Sequence, residues 1–165
     1  MTQGTLQTPL ARLQKLESSG WSQVENLQLS WTPQYIPHNP TAKQLAFLLL
    51  DQREALYGGA AGGGKSDALL MGALQYVSYP EYSALLLRRS FADLALPGAL
   101  MDRCKSWLLP SDATWSERAK TWTFPSGATL SFGYLEHIGD EYRYQSTEFQ
   151  YIGFDELTQF TEIQY

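Results

Sequence analysis

The stretch YGGAAGGGKS, residues 57–66, decides how the rest of the chain is interpreted. Five of its ten residues are glycine, and it contains the pattern G-x-x-x-x-G-K-S from Gly59 to Ser66. Glycines at these positions let backbone N–H groups curl around phosphate oxygens, and such a loop opens onto the positive end of a helix. The alternative is a Gly-Ala hinge, but a hinge gains nothing from lying between an apolar strand and an amphipathic helix. The pattern therefore predicts a phosphate-binding loop.

This pattern also predicts what each residue of the loop does. Lys65 would reach the β- and γ-phosphates of a nucleoside triphosphate, and the Ser66 hydroxyl would ligate a Mg²⁺ ion that bridges the same two groups. The predicted nucleotide-binding residues of the loop are Gly59, Ala60, Ala61, Gly62, Gly63, Gly64, Lys65 and Ser66.

The segments on either side of the loop indicate the order strand, loop, helix. Residues 54–59, EALYGG, predict a short apolar strand that runs into glycine. The apolar residues after the loop then repeat at helical spacing; they are Leu69, Leu70, Ala73, Leu74 and Val77. Further upstream, residues 40–51 predict a helix with Asn39 as its cap and Pro40 at the first helical position.

The second half of the chain alternates strands and helical segments. Residues 83–90 are a continuous apolar run ended by two arginines, which predicts a strand buried on both faces within a parallel sheet. Residues 90–108 predict two helical pieces because a Pro-Gly pair interrupts them. Residues 120–135 predict a β-hairpin around a Pro-Ser-Gly turn, and residues 134–148 form a polar loop.

Two adjacent carboxylates, Asp155 and Glu156, follow a short apolar strand and come ninety residues after Lys65. An Asp at the end of a buried strand can hold Mg²⁺, and a Glu one residue on can take a proton from an attacking water. The alternative is a solvated helix start, since acidic residues favour the first turn. Together with the loop, the pair predicts hydrolysis of a nucleoside triphosphate.

These elements predict an α/β fold of the P-loop NTPase class. Adjacent Asp-Glu is typical of its RecA-like branch, which has an added strand and a catalytic glutamate. We expect an incomplete, mainly parallel sheet flanked by helices. We interpret residues 37–165 as a partial P-loop ATPase domain and residues 1–36, rich in Gln, Ser and Thr, as an N-terminal arm or docking segment.

The composition limits the remaining functions. The single cysteine, Cys104, excludes an internal disulfide, and with only two histidines in the chain no set of soft ligands has metal-site spacing, so we expect no structural zinc site. A net charge of −5 in 165 residues means that any contact with DNA must be local. Neither a signal peptide nor a run long enough to span a bilayer is found, so we expect no membrane association and the host cell cytoplasm as location.

Four blocks carry a family resemblance: PTAKQLAFLL, LYGGAAGGGKS, ALLLRRSFADL and YQSTEFQYIGFDELTQF. In this order they resemble the N-terminal ATPase of tailed-bacteriophage terminase large subunits, over about residues 37–165. The resemblance implies ATP and Mg²⁺ as cofactors and coupling of ATP hydrolysis to packaging of double-stranded DNA into the prohead. It implies as partners the portal protein, the small terminase subunit and further copies of the chain in a homo-oligomeric ring.

Two residues are carried over from the family by position. Gln44 stands where related motors place a glutamine whose amide can pair with adenine; the alternative is a polar residue on the exposed face of a helix. Arg143 lies near where related motors place a catalytic arginine that reaches the γ-phosphate of a neighbouring subunit; the alternative is a solvated arginine in a loop. Arg88 and Arg89 would sense phosphate or pair with acidic residues, for which Asp93 and Asp102 are candidates.

The chain also departs from the family pattern, since no sensor strand and no acidic cluster of a nuclease domain follow Glu156. We therefore expect a fragment, a truncated gene product or one piece of a split gene. Two further functions stay open: a helicase-like ATPase stimulated by nucleic acid, and a nucleotide-binding or interaction module without turnover.

Overall fold

The computed structural model describes residues 34–60 and 62–165. Most of the predicted arm and Ala61 of the loop therefore lie outside the described residues. The last two residues of the arm, Tyr35 and Ile36, are buried in the core, and the Tyr35 hydroxyl donates to Asp112 Oδ1 at 2.7 Å. Within the described part of the chain, no helix has the length and apolar character needed to cross a membrane.

The described residues form four α-helices and five strands, with two 3₁₀ turns near the end of the chain. In chain order the elements are α1 (Ala42–Leu48), α2 (Lys65–Leu74), β1 (Ser83–Arg88), α3 (Phe91–Ala95), α4 (Leu100–Leu108), β2 (Thr114–Ser116), β3 (Thr121–Thr123), β4 (Thr129–Tyr134), the 3₁₀ turn Asp140–Tyr144, β5 (Tyr151–Phe154) and the 3₁₀ turn Leu157–Gln159.

The five strands form one sheet in the order β2-β3-β4-β1-β5. Strand β1 pairs in parallel with β4 and β5, whereas β2–β3 and β3–β4 are antiparallel. The α/β class is confirmed, but the expectation of a mainly parallel sheet is wrong, because the sheet is mixed. The short connections between β2, β3 and β4 force antiparallel pairing, since a parallel neighbour needs a crossover of a dozen or more residues.

The predicted strand at residues 54–59 is wrong. These residues have no strand structure, and Leu56 is 79% exposed. A strand exists only where a neighbour completes its hydrogen bonds, and no edge of the described sheet pairs with this segment. The strand that leads into a P-loop is thus absent from the described residues.

Helix α1 confirms the predicted helix, although it is shorter and begins later than expected. Its cap is Thr41 and not Asn39: the Thr41 side chain accepts from Gln44 N, and the Gln44 side chain accepts from Thr41 N. This reciprocal arrangement is a capping box, which satisfies two N–H groups at once. Leu45 and Leu48 are buried against the protein.

The core has two parts because β1 is buried on both faces, as predicted. Ala84 and Leu86 belong to the larger cluster, which also takes buried side chains from all four helices. Leu85 and Leu87 face a smaller cluster, completed by Leu135 and by half-buried aromatic side chains; these aromatic residues are Tyr144, Phe149, Phe154 and Phe160. The alternation follows from the two-residue period of a strand. Because β1 and β5 pair in parallel, their carboxyl ends lie side by side.

Candidate functional site

The glycine loop opens directly onto helix α2, as the sequence predicts. Gly64 is the N-cap of this helix and Lys65 is its first residue. Gly62 and Gly64 have φ values of +76° and +71°, which side chains strongly disfavour. Gly63 N donates to Ala60 O at 3.1 Å, so the loop turns tightly before the helix. The loop therefore ends at the positive end of α2, where an anion would be favoured.

The side chain of Lys65 folds back over the loop. Its ammonium donates to Gly59 O at 3.1 Å and to Ala60 O at 3.0 Å. Ser66, the predicted Mg²⁺ ligand, lies one residue further into the helix and is partly buried. The loop that surrounds these two residues is open, since a Cβ added at Gly58, Gly59 or Gly62 would meet no atom within 4 Å.

Asp155 lies at the carboxyl end of β5 and is only 6% exposed. Its backbone N–H donates to Leu87 O at 2.9 Å, which continues the ladder with β1 by one residue. Its Oδ2 atom forms an ion pair with Arg88 Nη1 at 3.0 Å, and both side chains are largely buried. The pair leaves Oδ1 of Asp155 without a salt-bridge partner among the described residues.

The surroundings of Asp155 shift its pKa in both directions. Burial raises the pKa of the Asp155 carboxyl above its ordinary value, and the negative charge of Glu156 raises it further. The positive charge of Arg88 and, less strongly, that of Lys65 lower the same pKa. Burial is the largest of these effects, so the charged carboxylate depends on its cationic neighbours.

Glu156 has a different environment from its neighbour. Its side chain is exposed, and its backbone has φ +57°, a left-handed conformation that is uncommon for residues other than glycine. Such backbone strain concentrates at functional sites. Glu156 is also the N-cap of the turn Leu157–Gln159, although its side chain makes no capping bond there. The two carboxylates thus precede a short helical turn. The alternative interpretation, a solvated helix start, also predicts such a turn at this position.

Gln44 does not lie on the exposed face of helix α1. The alternative interpretation of Gln44, a polar residue on an exposed helix face, is therefore wrong. The residue is only 3% exposed. Its Nε2 donates to Gly64 O at 3.0 Å, while its Oε1 accepts from Thr41 N at 2.8 Å. The structure therefore brings Gln44 to the glycine loop through a contact with the backbone.

Arg143 pairs within its own segment. Its Nη2 atom lies 2.7 Å from Asp140 Oδ1, and its guanidinium sits 5.0 Å from the centre of the Tyr134 ring. The buried Asp140 also accepts from the backbone N–H groups of Glu136 and His137 at 2.9 Å each, which fixes this loop. The Arg143 side chain is half exposed, but its guanidinium is held by the ion pair with Asp140. The alternative of a freely solvated loop arginine is therefore wrong.

The two arginines after β1 have partners that the sequence did not indicate. Arg88 pairs with Asp155, and the Arg89 guanidinium donates to the carbonyl of Leu135. Pairing with Asp93 and Asp102 is wrong: Asp93 accepts from the Ser90 hydroxyl and Asp102 accepts from Gly98 N. Parallel pairing of β1 with β5 would have predicted the Arg88–Asp155 pair. In that register, the residue at the end of β1 lies beside the residue that follows β5.

The residues of this site fit a triphosphate with bound Mg²⁺. The carbonyl contacts of the Lys65 ammonium can be exchanged for phosphate oxygens, and Asp155 keeps one carboxylate oxygen outside its ion pair. Among residues 34–60 and 62–165 no group of three or more His, Cys, Asp or Glu side chains is placed to hold a metal. Magnesium in nucleotide sites uses one or two carboxylates and takes its other ligands from phosphates and water.

A glycine loop at the start of α2 and two carboxylates directly after β5 define an α/β domain with a candidate phosphate site. Comparison with protein families matches residues 56–165 to the family described as "Terminase large subunit, T4likevirus-type, N-terminal". The chain belongs to this family, and membership indicates a role in phage DNA packaging. No curated protein and no solved structure matches the chain. Helix α1, with Gln44, precedes the matched residues.

Proposed function

We propose that the chain is the ATP-binding and ATP-hydrolysing part of a motor that packages double-stranded DNA into a phage prohead. The observation that carries this proposal is that the helix onto which the glycine loop opens packs against the strand that precedes Asp155: the Tyr151 hydroxyl in β5 donates to Leu69 O in α2 at 3.3 Å. A phosphate loop alone supports only binding. A loop whose helix lies against a strand that ends at a carboxylate also supports hydrolysis.

In this proposal the loop residues bind the triphosphate. Backbone N–H groups of the loop, apart from that of Gly63, which donates to Ala60 O, would face the phosphates, and the Lys65 ammonium would leave the carbonyls of Gly59 and Ala60 for the β- and γ-phosphates. Ser66 and Asp155 would hold a Mg²⁺ ion, which would supply positive charge to neutralise the phosphates. Arg88 keeps the Asp155 carboxylate fixed at the sheet edge through their 3.0 Å ion pair.

Glu156 is the proposed general base. Its exposed side chain keeps access to water, whereas the buried carboxyl of Asp155 is tied to Arg88. A base of this kind orients a water molecule and accepts its proton as the water attacks phosphorus. Arg143 is the proposed catalytic arginine for the site of a neighbouring copy, which requires it to leave Asp140 when the ring assembles.

The proposed partners follow from the packaging role. They are double-stranded DNA, the portal protein, the small terminase subunit and further copies of this chain in a ring. The net charge of −5 argues that the DNA contact is confined to local basic surface. We place the reaction in the host cell cytoplasm.

The proposal is tested with the full chain by two assays on three variants. Equilibrium binding of a non-hydrolysable ATP analogue is measured with and without Mg²⁺, and phosphate release from ATP is measured in parallel. Lys65→Ala should weaken binding by about 10- to 100-fold, the value of a hydrogen bond between charged groups. Glu156→Gln should bind normally and release no phosphate above background.

The control is Lys43→Ala, which removes an exposed lysine from helix α1. It should leave both assays unchanged. Equal binding by wild type and Lys65→Ala would contradict the phosphate site.

A nucleotide-binding module without turnover is the second candidate, and the pairing of Arg143 with Asp140 favours it. An arginine held in its own loop is not available to a neighbouring site. Normal Mg²⁺-dependent binding without phosphate release at any chain concentration would support this module against the motor.

A further inference from the structure

We propose that Tyr151 is a positioning residue: its ring and hydroxyl seat helix α2 on β5 and thereby set the separation between the glycine loop and Asp155. The inference rests on the proposed function, because that separation matters for turnover only if both groups act on one nucleotide. It assigns a role to the first residue of β5, which lies at the opposite end of the strand from the carboxylates.

Helix α2 runs antiparallel to β5. Its Leu69 side chain lies against Gly153, since a Cβ at Gly153 would be 2.9 Å from Leu69 Cδ1. One turn further along the helix, Gly72 lies against Tyr151, since a Cβ at Gly72 would be 2.7 Å from the Tyr151 hydroxyl oxygen. The helix therefore approaches the start of the strand as its residue numbers rise. Its own first residues lie toward the end of the strand that Asp155 follows.

The contact between Leu69 and Gly153 fixes the level at which the two ends meet. Lys65 precedes Leu69 by one turn, which is about 6 Å along a helix axis. Asp155 follows Gly153 by two residues, which is about 7 Å along a strand. The start of α2 and the carboxyl end of β5 are thus at a similar level along the sheet. How far α2 stands off β5 then decides how far the loop lies from the carboxylate.

Helix α2 stands close to β5 because a glycine is present on each of the two facing surfaces. A Cβ at Gly72 would lie 2.7 Å from the Tyr151 oxygen and 3.0 Å from its Cζ atom. A Cβ at Gly153 would lie 2.7 Å from Leu86 Cδ2. Because carbon atoms pack best at about 3.5–4.0 Å, neither position has room for a larger residue. The Tyr151 ring is therefore the spacer on which the helix rests at Gly72.

The Tyr151 hydroxyl also binds the helix backbone. It donates to Leu69 O at 3.3 Å, and burial raises its pKa above the ordinary value, so it stays protonated as a donor. The ring lies across Gly72 while the hydroxyl reaches Leu69, one turn nearer the loop. A single side chain thus spaces the helix from the strand and opposes its sliding along the strand.

The first test compares Tyr151→Phe with Tyr82→Phe in the full chain. Tyr82 is the matched control, because its hydroxyl donates to another carbonyl of the same helix, that of Ala73, at 3.1 Å, but Tyr82 lies outside β5. Phosphate release from ATP with Mg²⁺ gives kcat and KM. We expect Tyr151→Phe to lower kcat about tenfold with KM unchanged, the pattern of a lost positioning contact. Tyr82→Phe should change thermal stability and neither kinetic constant.

The second test adds a methyl group between the helix and the ring with Gly72→Ala. Alanine favours a helix more than glycine, so a loss of turnover would come from the contact with Tyr151. We expect kcat to fall about 100-fold, the effect of a displacement of about 1 Å. Affinity for a non-hydrolysable ATP analogue without Mg²⁺, which depends on the loop alone, should stay unchanged. If Gly72→Ala does not fold, Tyr151→Phe carries the test by itself.

A measurement without nucleotide separates this inference from the proposed function. In wild type, the nuclear Overhauser effect between the Leu69 methyl groups and the Gly153 Hα protons should be strong, because the two residues are in contact. It should weaken in Gly72→Ala and, less strongly, in Tyr151→Phe. It should stay unchanged in Tyr82→Phe.

Two results would overturn the inference. Equal kcat values for Tyr151→Phe and Tyr82→Phe would reduce the Tyr151 hydroxyl to a hydrogen bond of the core. A wild-type Overhauser effect in folded Gly72→Ala would mean that the contact with Tyr151 does not set the separation. A wild type that releases no phosphate contradicts the proposed function instead, and the Overhauser effect still decides whether Tyr151 sets the separation of α2 from β5.

Discussion

The two halves of the sheet differ in what stands at their ends. Where β1 and β5 run in parallel, charged residues stand at their carboxyl ends: Arg88 is the last residue of β1, Asp155 directly follows β5, and the two form an ion pair. The antiparallel half instead pairs Thr114 with Thr123 and Trp115 with Trp122, residues that fit a half-buried pleated surface.

This difference suggests a division within the sheet: the parallel half holds the candidate site, and the antiparallel half contributes mainly to stability. Parallel strands bring all their carboxyl ends to one edge, so polar residues after neighbouring strands come together. Antiparallel strands alternate their ends, so the polar group beside β2 and β3, which is centred on Glu117, forms at the turn between two strands and not at a shared carboxyl edge. Variants of the parallel half should therefore change the site, and variants of the antiparallel half should change the free energy of unfolding.

The largest effect is expected from Glu156→Gln. Removing a general base should lower the rate of phosphate release by about two to four orders of magnitude, since a glutamine does not accept the proton. Thermal unfolding should stay within about 1 kcal/mol of wild type, because the side chain is exposed. Glu162→Gln, also exposed, is the control and should hydrolyse ATP normally. Wild-type turnover by Glu156→Gln would contradict the claim that residues at the carboxyl ends of the parallel strands carry out hydrolysis.

Trp122→Ala should sharpen the comparison from the other side. Trp122 is only 1% exposed and packs against Trp115 in the adjacent strand. Truncation should cost about 3–5 kcal/mol of stability, which denaturant unfolding measures. The fraction of chain that stays folded should bind the ATP analogue with unchanged affinity. Weaker binding per folded molecule would mean that the two halves are not separable.

Arg88→Gln should have an intermediate effect, and Arg89→Gln, whose guanidinium meets a backbone carbonyl, is its control. The variant leaves a buried carboxylate unpaired, but Arg88 is 19% exposed, so the cost should be below the about 3–5 kcal/mol of a fully buried pair. Without Arg88 the pKa of Asp155 should rise further. A raised folded pKa gives stability at low pH that is lost as pH rises, so the deficit should grow from pH 4 to pH 7. A deficit independent of pH would contradict the ion pair.

The smallest effect is expected at Glu117, just after β2. Hydrogen bonds from Lys120, Trp115 and Lys105 lower the pKa of Glu117 to about 2. Its contribution to stability is present above the unfolded pKa of 4.5 and is lost as pH falls toward 2. NMR titration of the side-chain carboxyl should show this midpoint, and Lys120→Met should move it upward. A midpoint near 4.5 in wild type would show that these contacts are not formed in solution.

Regular elements were the part of the fold that sequence could predict. The apolar run of β1 and the alternation in the β3–β4 hairpin reflect local backbone geometry. The bounds of these strands were therefore predicted to within a few residues. The strand at 54–59 was wrong because strand formation depends on a partner elsewhere. The mixed sheet was missed although the predicted hairpin is itself antiparallel, because the sequence did not show that this hairpin joins the same sheet as β1 or that β2 adds a further strand to it.

The site divides in a similar way. The loop, Lys65 and the Asp-Glu pair could be proposed from sequence because their chemistry needs fixed residue types at fixed spacing; the structure places them at the start of α2 and after β5, and their roles stay predictions. The bond from Gln44 to Gly64 and the pair of Arg88 with Asp155 were missed, since both join residues that are distant in sequence. Burial of Gln44, in particular, follows from how α1 packs on the loop and not from its own residue type.

The central claim is that the glycine loop and the carboxylates after β5 share one nucleotide. It is tested most directly by NMR with Mn²⁺ in place of Mg²⁺, since both ions take oxygen ligands, bound together with a non-hydrolysable ATP analogue. The paramagnetic ion should broaden the amide signals of residues 62–66 and of residues 154–156 alike, and leave those of β2 sharp. Broadening confined to the loop, with Asp155 and Glu156 unaffected, would contradict the claim.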